Sequence, residues 1–371
     1  MTIDGSGLEG GVLRRVLVVG TGLIGTSVAL ALRRHGVTVH LSDHDPAVAR
    51  QAADLGAGTL DAPLAQVDLA VVAVSPAATA DVVCGLLAGN VAATVVDTAG
   101  VKDTVLRAVA AEVGPAPHFV GSHPMAGRER SGPGAARADL FEGRPWALTT
   151  AGSDPPSVQR ALELIRLCGG DPLVMDAPTH DAGVALVSHL PQVAASLVAA
   201  RLAEGDAAAI SLTGQGLRDV TRVAASDPDL WVEILAANAE PVARLLTELR
   251  QDVDAVIAAL TEMADDPDWA RTSLREVLVR GNAGRARLPG KHGGRSTAYA
   301  VVPVVLPDRP GELGRLFAEV GAEGVNIEDL RIEHSPGQPV GLVELAVAPG
   351  AEVALAAALD RLGWVVHPSG A

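Results

Sequence analysis

The chain has 371 residues, of which 48% are hydrophobic but only 2% aromatic, and a net charge of −15. That length allows two or three domains, and interiors built from Ala, Val and Leu suit helices and buried parallel strands better than an aromatic-rich β-sandwich. The acidic balance argues against nucleic acid as a partner, because neutralising phosphates needs a basic surface. No stretch reaches the roughly 20 uninterrupted apolar residues of a membrane span, and the start, MTIDGSGLEGG, lacks the basic and apolar regions of a secretory signal. Cys84 and Cys168 both fall in apolar helical patterns and are expected as small buried hydrophobes in a reducing compartment. A soluble cytoplasmic protein is the expectation.

Residues 1–11 are polar and glycine-rich and are expected to form a disordered tail. From residue 12 to 176 strand and helix patterns alternate. Val16–Gly20, Val37–Leu41, Asp68–Val74 and Thr94–Asp97 read as buried strands, with helices over Leu23–Arg34 and Pro46–Leu55 and after each later strand. This rhythm predicts a Rossmann-type doubly wound parallel sheet. Residues 122–145 interrupt it with an aperiodic stretch rich in Gly, Pro and charge, longer than a connection needs. The pattern resumes with a strand over Trp146–Thr150, a helix over Pro156–Cys168 and a strand over Pro172–Met175. Residues 177–281 then read as an all-helical domain, with Pro241 starting or kinking a helix inside the tract Asp229–Met263. Its apolar faces exceed what one small domain covers, which predicts packing against a second copy, a homodimer. Gly281–Ser296 is glycine-rich, basic and aperiodic, so a flexible linker is expected over 282–296. Residues 297–371 read βαββαβ, the split-βαβ, ferredoxin-like order.

Gly20-Thr21-Gly22-Leu23-Ile24-Gly25 fits G-x-G-x-x-G between a buried strand and a helix. Gly20 permits the turn, Gly22 lets a pyrophosphate approach the backbone, and Gly25 lets helix and strand pack closely. Asp43, at the end of the second strand, is placed to bind a ribose 2′-hydroxyl and to repel the extra phosphate of NADP; no Arg follows directly, so NAD is the expected cofactor. Val74 and Ser75, closing the third strand, are counted with this site.

The aperiodic segment opens with Ser122-His123-Pro124-Met125-Ala126-Gly127-Arg128-Glu129. His123 follows an expected strand end on the edge where doubly wound sheets bind ligands. Taking hydride from a hydroxyl-bearing carbon needs a group that accepts or polarises the O–H, and imidazole suits that near neutral pH. No His/Cys/Asp cluster has the spacing of a metal site.

Taken in order, the glycine turn, His-Pro-Met-Ala-Gly, Thr179-His180-Asp181, Ser188-His189-Leu190-Pro191 and Asp219-Val220-Thr221-Arg222 through Trp231 resemble the prephenate and arogenate dehydrogenases of tyrosine biosynthesis. The resemblance spans about residues 12–280 and implies oxidative decarboxylation of prephenate to 4-hydroxyphenylpyruvate, with arogenate dehydrogenase as the alternative and a non-catalytic ligand sensor as a more distant one. It implies that His123 hydrogen-bonds the ring hydroxyl and that Arg222 holds a substrate carboxylate. Glu129 would stand at the mouth of the site, His189 would line it, and Ser122 would join the substrate contacts. His180 is read as a helix-start or supporting residue. Two departures stand out. Gly100 occupies a position where the family commonly has Ser against the hydroxyl, and Gln192 stands where many relatives have a second His, close to the substrate side chain. Residues 297–371, with Asp308-Arg309-Pro310-Gly311-Glu312-Leu313 and Asn326-Ile327, resemble an ACT domain. That implies allosteric sensing of an aromatic amino acid, with the amides at the start of a helix from Pro310 receiving its carboxylate.

Overall fold

The computed structural model describes residues 13–62, 65–127, 131–288, 299–334 and 339–367. The expected N-terminal tail lies outside them, as does most of the expected linker. Two compact units divide the chain, Met1–Arg250 and Gln251–Ala371.

The first unit is built on a seven-stranded sheet. In chain order it contains β1 (Arg15–Val19), α1 (Leu23–Arg34), β2 (Thr38–Ser42), α2 (Pro46–Asp54), β3 (Leu69–Val72), α3 (Pro76–Ala88), β4 (Val95–Asp97) and α4 (Asp103–Val113). There follow β5 (Phe119–Pro124), β6 (Pro145–Thr149), α5 (Pro155–Leu167) and β7 (Asp171–Val174). The order β2-β1-β3-β4-β5-β6-β7 reverses direction between β1 and β3, which makes that crevice the ligand-binding edge. The first five strands are parallel; β6 joins β5 antiparallel and β7 runs parallel to β6. The doubly wound sheet therefore carries two reversed strands at one edge. Strands β1, β3 and β4 are buried Val- and Leu-rich runs covered on both faces, by α1 and α5 in one layer and α3 and α4 in the other. Cys84 and Cys168 are buried within these two layers, as expected, and burial raises both thiol pKa values above the ordinary range.

Helix starts are written locally. Asp45, Asp154, Asp227 and Asp266 each precede a proline, and each accepts a backbone N–H of the first turn that follows. Beyond β7 come α6 (Ala177–Val184), a π-helical turn (Ala185–His189) and α7 (Leu190–Leu202) as one unbroken helical run. The run passes through the π turn where Pro191 removes the N–H that would have bonded the carbonyl of Val187. Although His180 and Asp181 interrupt its sequence, this run is long and apolar enough to span a membrane by length and composition. Both of those polar residues, and His189, are buried. The remaining helices are α8 (Ala207–Ser211), α9 (Gln215–Thr221), a 3-10 turn (Arg222–Ala225), α10 (Pro228–Ala237), α11 (Ala239–Thr261) and α12 (Pro267–Arg285). Pro241 falls in the first turn of α11, where its missing N–H leaves no bond unmade, so it starts a new helix and leaves Asn238 at the break.

In the second unit α12 runs through Gly281 and Gly284, so the linker starts later than its composition predicts. An Arg280–Asp252 ion pair at 2.7 Å joins this helix to α11. The unit continues with β8 (Ala300–Pro307), α13 (Glu312–Ala322), β9 (Ile327–His334), β10 (Val340–Val347), α14 (Glu352–Arg361) and β11 (Val365–Val366). The antiparallel order β11-β8-β10-β9 is the ferredoxin-like arrangement predicted, closed around Val302, Val304, Leu345 and Leu355.

A buried ion pair braces the first sheet. The Lys102 ammonium, 1% exposed, contacts the Asp97 carboxylate and donates to the Ser122 carbonyl at 2.6 Å. Asp97 also accepts the Ser122 N–H at 2.9 Å, so the ends of β4 and β5 are tied through one lysine. Removing one member of such a pair leaves a buried charge unmatched. Lys102→Met is expected to lower stability by about 3–5 kcal/mol, and Lys102→Met combined with Asp97→Asn to recover part of that loss. Urea unfolding of the two variants checks it; a double variant less stable than Lys102→Met alone would count against the coupling.

Candidate active site

Two clusters carry the candidate chemistry of this sheet, one at the turn after β1 and one on β5. The first is the glycine turn. Gly20 has φ +91°, and a Cβ there would lie 2.4 Å from the Ala73 carbonyl oxygen and 3.0 Å from Val74, so the turn packs directly against the end of β3. At Gly25 a Cβ would come within 1.9 Å of the Gly20 carbonyl oxygen, a backbone contact that cannot yield. Gly22 differs: a Cβ there would meet nothing within 4 Å. The open face of the turn thus lies where α1 begins, with no side chain capping its first amides. Leu23 and Ile24 open that helix, Ile24 packing on the core. The second oxygen of Asp43 accepts both the N–H (2.6 Å) and the hydroxyl (2.9 Å) of Thr21, and its first accepts the N–H of Asp45 at 3.0 Å. Burial alone would raise the pKa of this carboxyl; the Thr21 and Asp45 hydrogen bonds outweigh it and hold the value below the usual range. Thr21 takes both lone pairs of the second oxygen, so the first, which also faces His44 Nδ1 at 3.0 Å, is the one placed to meet a ribose hydroxyl. Ser75 begins α3 on the far side of the crevice. The turn, its open Gly22 face and the ionised Asp43 fit a dinucleotide.

The second cluster centres on His123. The sequence pattern puts it after a strand; it lies within β5, because that strand pairs on both sides, with β4 at Phe119–Val120 and with β6 from Gly121 to Pro124. Its Nδ1 lies 3.0 Å from Nε2 of His180, whose Nδ1 lies 2.7 Å from Asp181. The two oxygens of Asp181 also accept the backbone N–H groups of Lys102 (2.8 Å) and Asp103 (2.9 Å). For Asp181, burial raises the carboxyl pKa, but the His180 bond and the two amides overcome it, leaving the group ionised. For His123, burial first, then the neighbouring His180, Lys102 and His189, push the imidazole well below the ordinary histidine value, so it is neutral at pH 7.

Gly100 faces the other side of this ring. A Cβ added there would sit 3.7 Å from His123 Nε2 and 3.8 Å from Cε1, which is ordinary contact, so a small side chain would fit beside the imidazole. His189, at the end of the π turn, is 2% exposed; its Nδ1 lies 3.1 Å from the Asn238 amide nitrogen, and its ring meets Trp231 edge-on at 6.0 Å. The same Asn238 nitrogen donates to the Asp181 carbonyl at 2.8 Å. With Asn238 donating to Nδ1, the neutral His189 carries its proton on Nε2 and is a donor. Burial pulls its pKa below normal, partly opposed by Asp181. Gln192 is buried in the first turn of α7, three residues on. Arg222 is exposed at the start of the 3-10 turn that packs on α7 and α9.

Ser122 needs correction. Its side chain is fully buried, with the hydroxyl donating to the Asp97 carbonyl at 2.6 Å and accepting from Trp146 Nε1 at 3.0 Å. It belongs to the sheet, not to a ligand surface. Glu129 lies outside the described residues. In the second unit, α13 starts at Glu312 and not at Pro310. Gly311, at φ +93°, is its N-cap, and Glu312 pairs with Arg315 at 2.8 Å. Asp308 and Pro310 lie between β8 and this cap, Leu313 packs on the domain core, Ile327 begins β9, and the Asn326 amide donates to Glu328 at 2.7 Å. Sequence reading missed Asn238; its only signal was its place just before the Ala-Glu-Pro helix start.

A turn that leaves room for a pyrophosphate, carried on the same sheet as a neutral imidazole, is the equipment of a dehydrogenase, and the class here is the NAD-dependent oxidoreductases. Comparison narrows the class. Residues 28–173 match the family profile described as prephenate dehydrogenase, nucleotide-binding domain, and residues 176–278 match prephenate dehydrogenase, dimerization domain. NovF of Streptomyces niveus, named a probable prephenate dehydrogenase, is 41% identical over 95% of this chain and 99% of its own. The prephenate dehydrogenase of Bacillus subtilis is 28% identical over 85% of this chain and 87% of its own. Among solved structures, prephenate dehydrogenase from A. aeolicus in complex with hydroxyphenyl propionate and NAD+ superposes with a TM-score of 0.63 at 27% identity, covering 73% of this chain and 98% of that one. The chain belongs to the prephenate dehydrogenase family.

The glycines separate packing from binding. Gly22→Val, pointing into open space, is expected to keep the unfolding temperature of the parent while weakening NAD binding by about tenfold or more, or about 1.4 kcal/mol. Gly25→Val is expected to unfold the N-terminal sheet at lower temperature. Melting curves with and without NAD read both.

Proposed function

We propose that this chain is a prephenate dehydrogenase that oxidatively decarboxylates prephenate to 4-hydroxyphenylpyruvate with NAD. The observation that carries the reading is His123, held neutral at the ligand edge of the sheet with Nε2 turned toward the gap at Gly100. The A. aeolicus relative was solved with a ligand that carries a ring hydroxyl and a side-chain carboxylate. NAD bound at the glycine turn supplies the acceptor for the hydride that leaves the hydroxyl-bearing ring carbon as the ring carboxylate departs as CO2. His123 Nε2 accepts the hydrogen bond of that hydroxyl and draws on its proton as electron density leaves the oxygen, and the phenol of the product keeps the proton. Arg222 forms a fork for a substrate carboxylate, and His189 Nε2–H and Gln192 contact the substrate. With no side chain at Gly100, His123 is the one group assigned to the hydroxyl. Arogenate is the alternative substrate; the name of the 41%-identical relative favours prephenate. A sensor without chemistry would have no use for an imidazole tuned in this way.

The ferredoxin-like unit serves as an ACT-type effector domain for an aromatic amino acid. The exposed stretch from Asp308 to Gly311, the start of α13 at Glu312 and Leu313, and Asn326 with Ile327 line its effector site. The enzyme works as a cytoplasmic homodimer. Supporting this, the tract matching the dimerization-domain profile leaves Leu197, Leu212 and Val232 exposed, Leu212 at 85%.

Two measurements test these statements. NADH formation from prephenate and from arogenate is compared in the parent and in His123→Asn; rapid turnover of prephenate, lowered by about 10²–10⁴-fold in the variant, is expected. Turnover of neither substrate by folded, NAD-binding protein would overturn the assignment. In light scattering the parent is expected to run as a dimer, and Leu212→Glu with Val232→Glu to shift it to monomer.

A further inference from the structure

We propose that His180 and Asp181 are positioning residues for the reaction, a two-membered relay that fixes His123 in the tautomer whose Nε2 carries the free lone pair. The proposal rests on reading His123 as the group that engages the ring hydroxyl.

With a single N–H on each ring, hydrogen-bond direction leaves one solution. The ionised Asp181 carboxylate can only accept, and it already receives the amides of Lys102 and Asp103. His180 Nδ1, 2.7 Å away, must therefore carry the proton it donates to Asp181. With that N–H the only one on the ring, His180 Nε2 is an acceptor. His123 Nδ1, 3.0 Å from that nitrogen, must then be the donor, and His123 Nε2 is left bare. That bare nitrogen is the atom 3.7 Å from the Cβ position of Gly100, on the open side of the ring. Without the relay, His123 could hold its proton on either nitrogen, and with the proton on Nε2 it would offer a donor where the hydroxyl needs an acceptor.

The relay is anchored at both ends. His180 and Asp181 are 1% and 5% exposed, so water does not compete for these bonds. Asp181 sits across the first turn of α4, and Asn238 holds its carbonyl, which fixes α6 against the sheet. His123 is fixed on β5 by the Lys102 bond to the preceding carbonyl. Neither ring can turn without breaking a buried hydrogen bond. Asp181 also lends charge: as the hydroxyl proton moves toward His123, the carboxylate stabilises the developing cation through His180.

The test compares His180→Phe, which fills the space but neither accepts nor donates, with His180→Gln, whose carbonyl can accept from His123 and whose amide can donate to Asp181. His180→Phe is expected to lower kcat for prephenate by about 100-fold or more, with KM and NAD affinity changed by less than about threefold, while His180→Gln recovers most of kcat. Because either variant could misfold, the tautomer is also read in the parent from the ¹⁵N spectrum of histidine-labelled protein. His123 is assigned there by its loss in His123→Asn, and the Nδ1–H form is expected. A parent His123 in the Nε2–H form, or His180→Phe with parental kcat while His123→Asn is inactive, would overturn the relay and leave the role of His123 standing. Parental activity in His123→Asn would remove both readings together.

Discussion

The first unit depends on one buried lysine. Lys102 lies beneath the ligand edge with its ammonium against Asp97 and the Ser122 carbonyl, and its own N–H reaches Asp181. Burial lowers its pKa, and the carboxylates of Asp97 and Asp181 oppose that only in part. Through this residue β4, β5 and α6 share one electrostatic knot. An apolar side chain would pack there, but it would leave Asp97 and the end of β5 without a common tie. The position of His123 follows from that tie.

Much of the fold was legible because its signals are local. Buried strands show as Val-rich runs, Asp-Pro pairs mark helix starts, and α1 is bounded where the glycine turn and Arg34 predict. The cofactor turn was legible for the same reason, since its three glycines fall in one short run between β1 and α1. What escaped was set by partners distant in sequence. The segment after Ser122 looks aperiodic, yet Ser122–Pro124 is strand because β6 pairs with it from more than 20 residues away. Ser122 carries the polarity of a ligand contact, and only the approach of Trp146 and Asp97 shows that its hydroxyl is engaged inside the sheet. The helix through Gly281 survives two glycines, a cost of about 1 kcal/mol each, alongside its pairing with α11.

The site shows the same division. His123 and Asp43 stand out by chemistry and place, whereas Asn238 is one amide in an Ala-rich tract. It gains a role only because Pro241 restarts the helix and leaves that amide at the break, between Asp181 and His189. In the second unit the βαββαβ order was readable from alternation, but the start of α13 was displaced by two residues. Pro310 suits a first turn, and Gly311 in its left-handed conformation holds that place as cap.

The π turn before Pro191 has a consequence for chain length. His180 and His189 are nine residues apart, which in an uninterrupted α-helix would set them on opposite faces, about 180° apart. The wider turn takes up roughly a quarter of a revolution, and both rings then reach the Asp181–Asn238 junction. Spacing between the two histidines is therefore a coordinate of the site in its own right. Deleting one residue from 185–188 would let the helix regularise with the histidines eight apart, about 80° around the axis and close to their present setting, whereas turning the π turn into α-helix without a deletion would carry His189 away from Asn238.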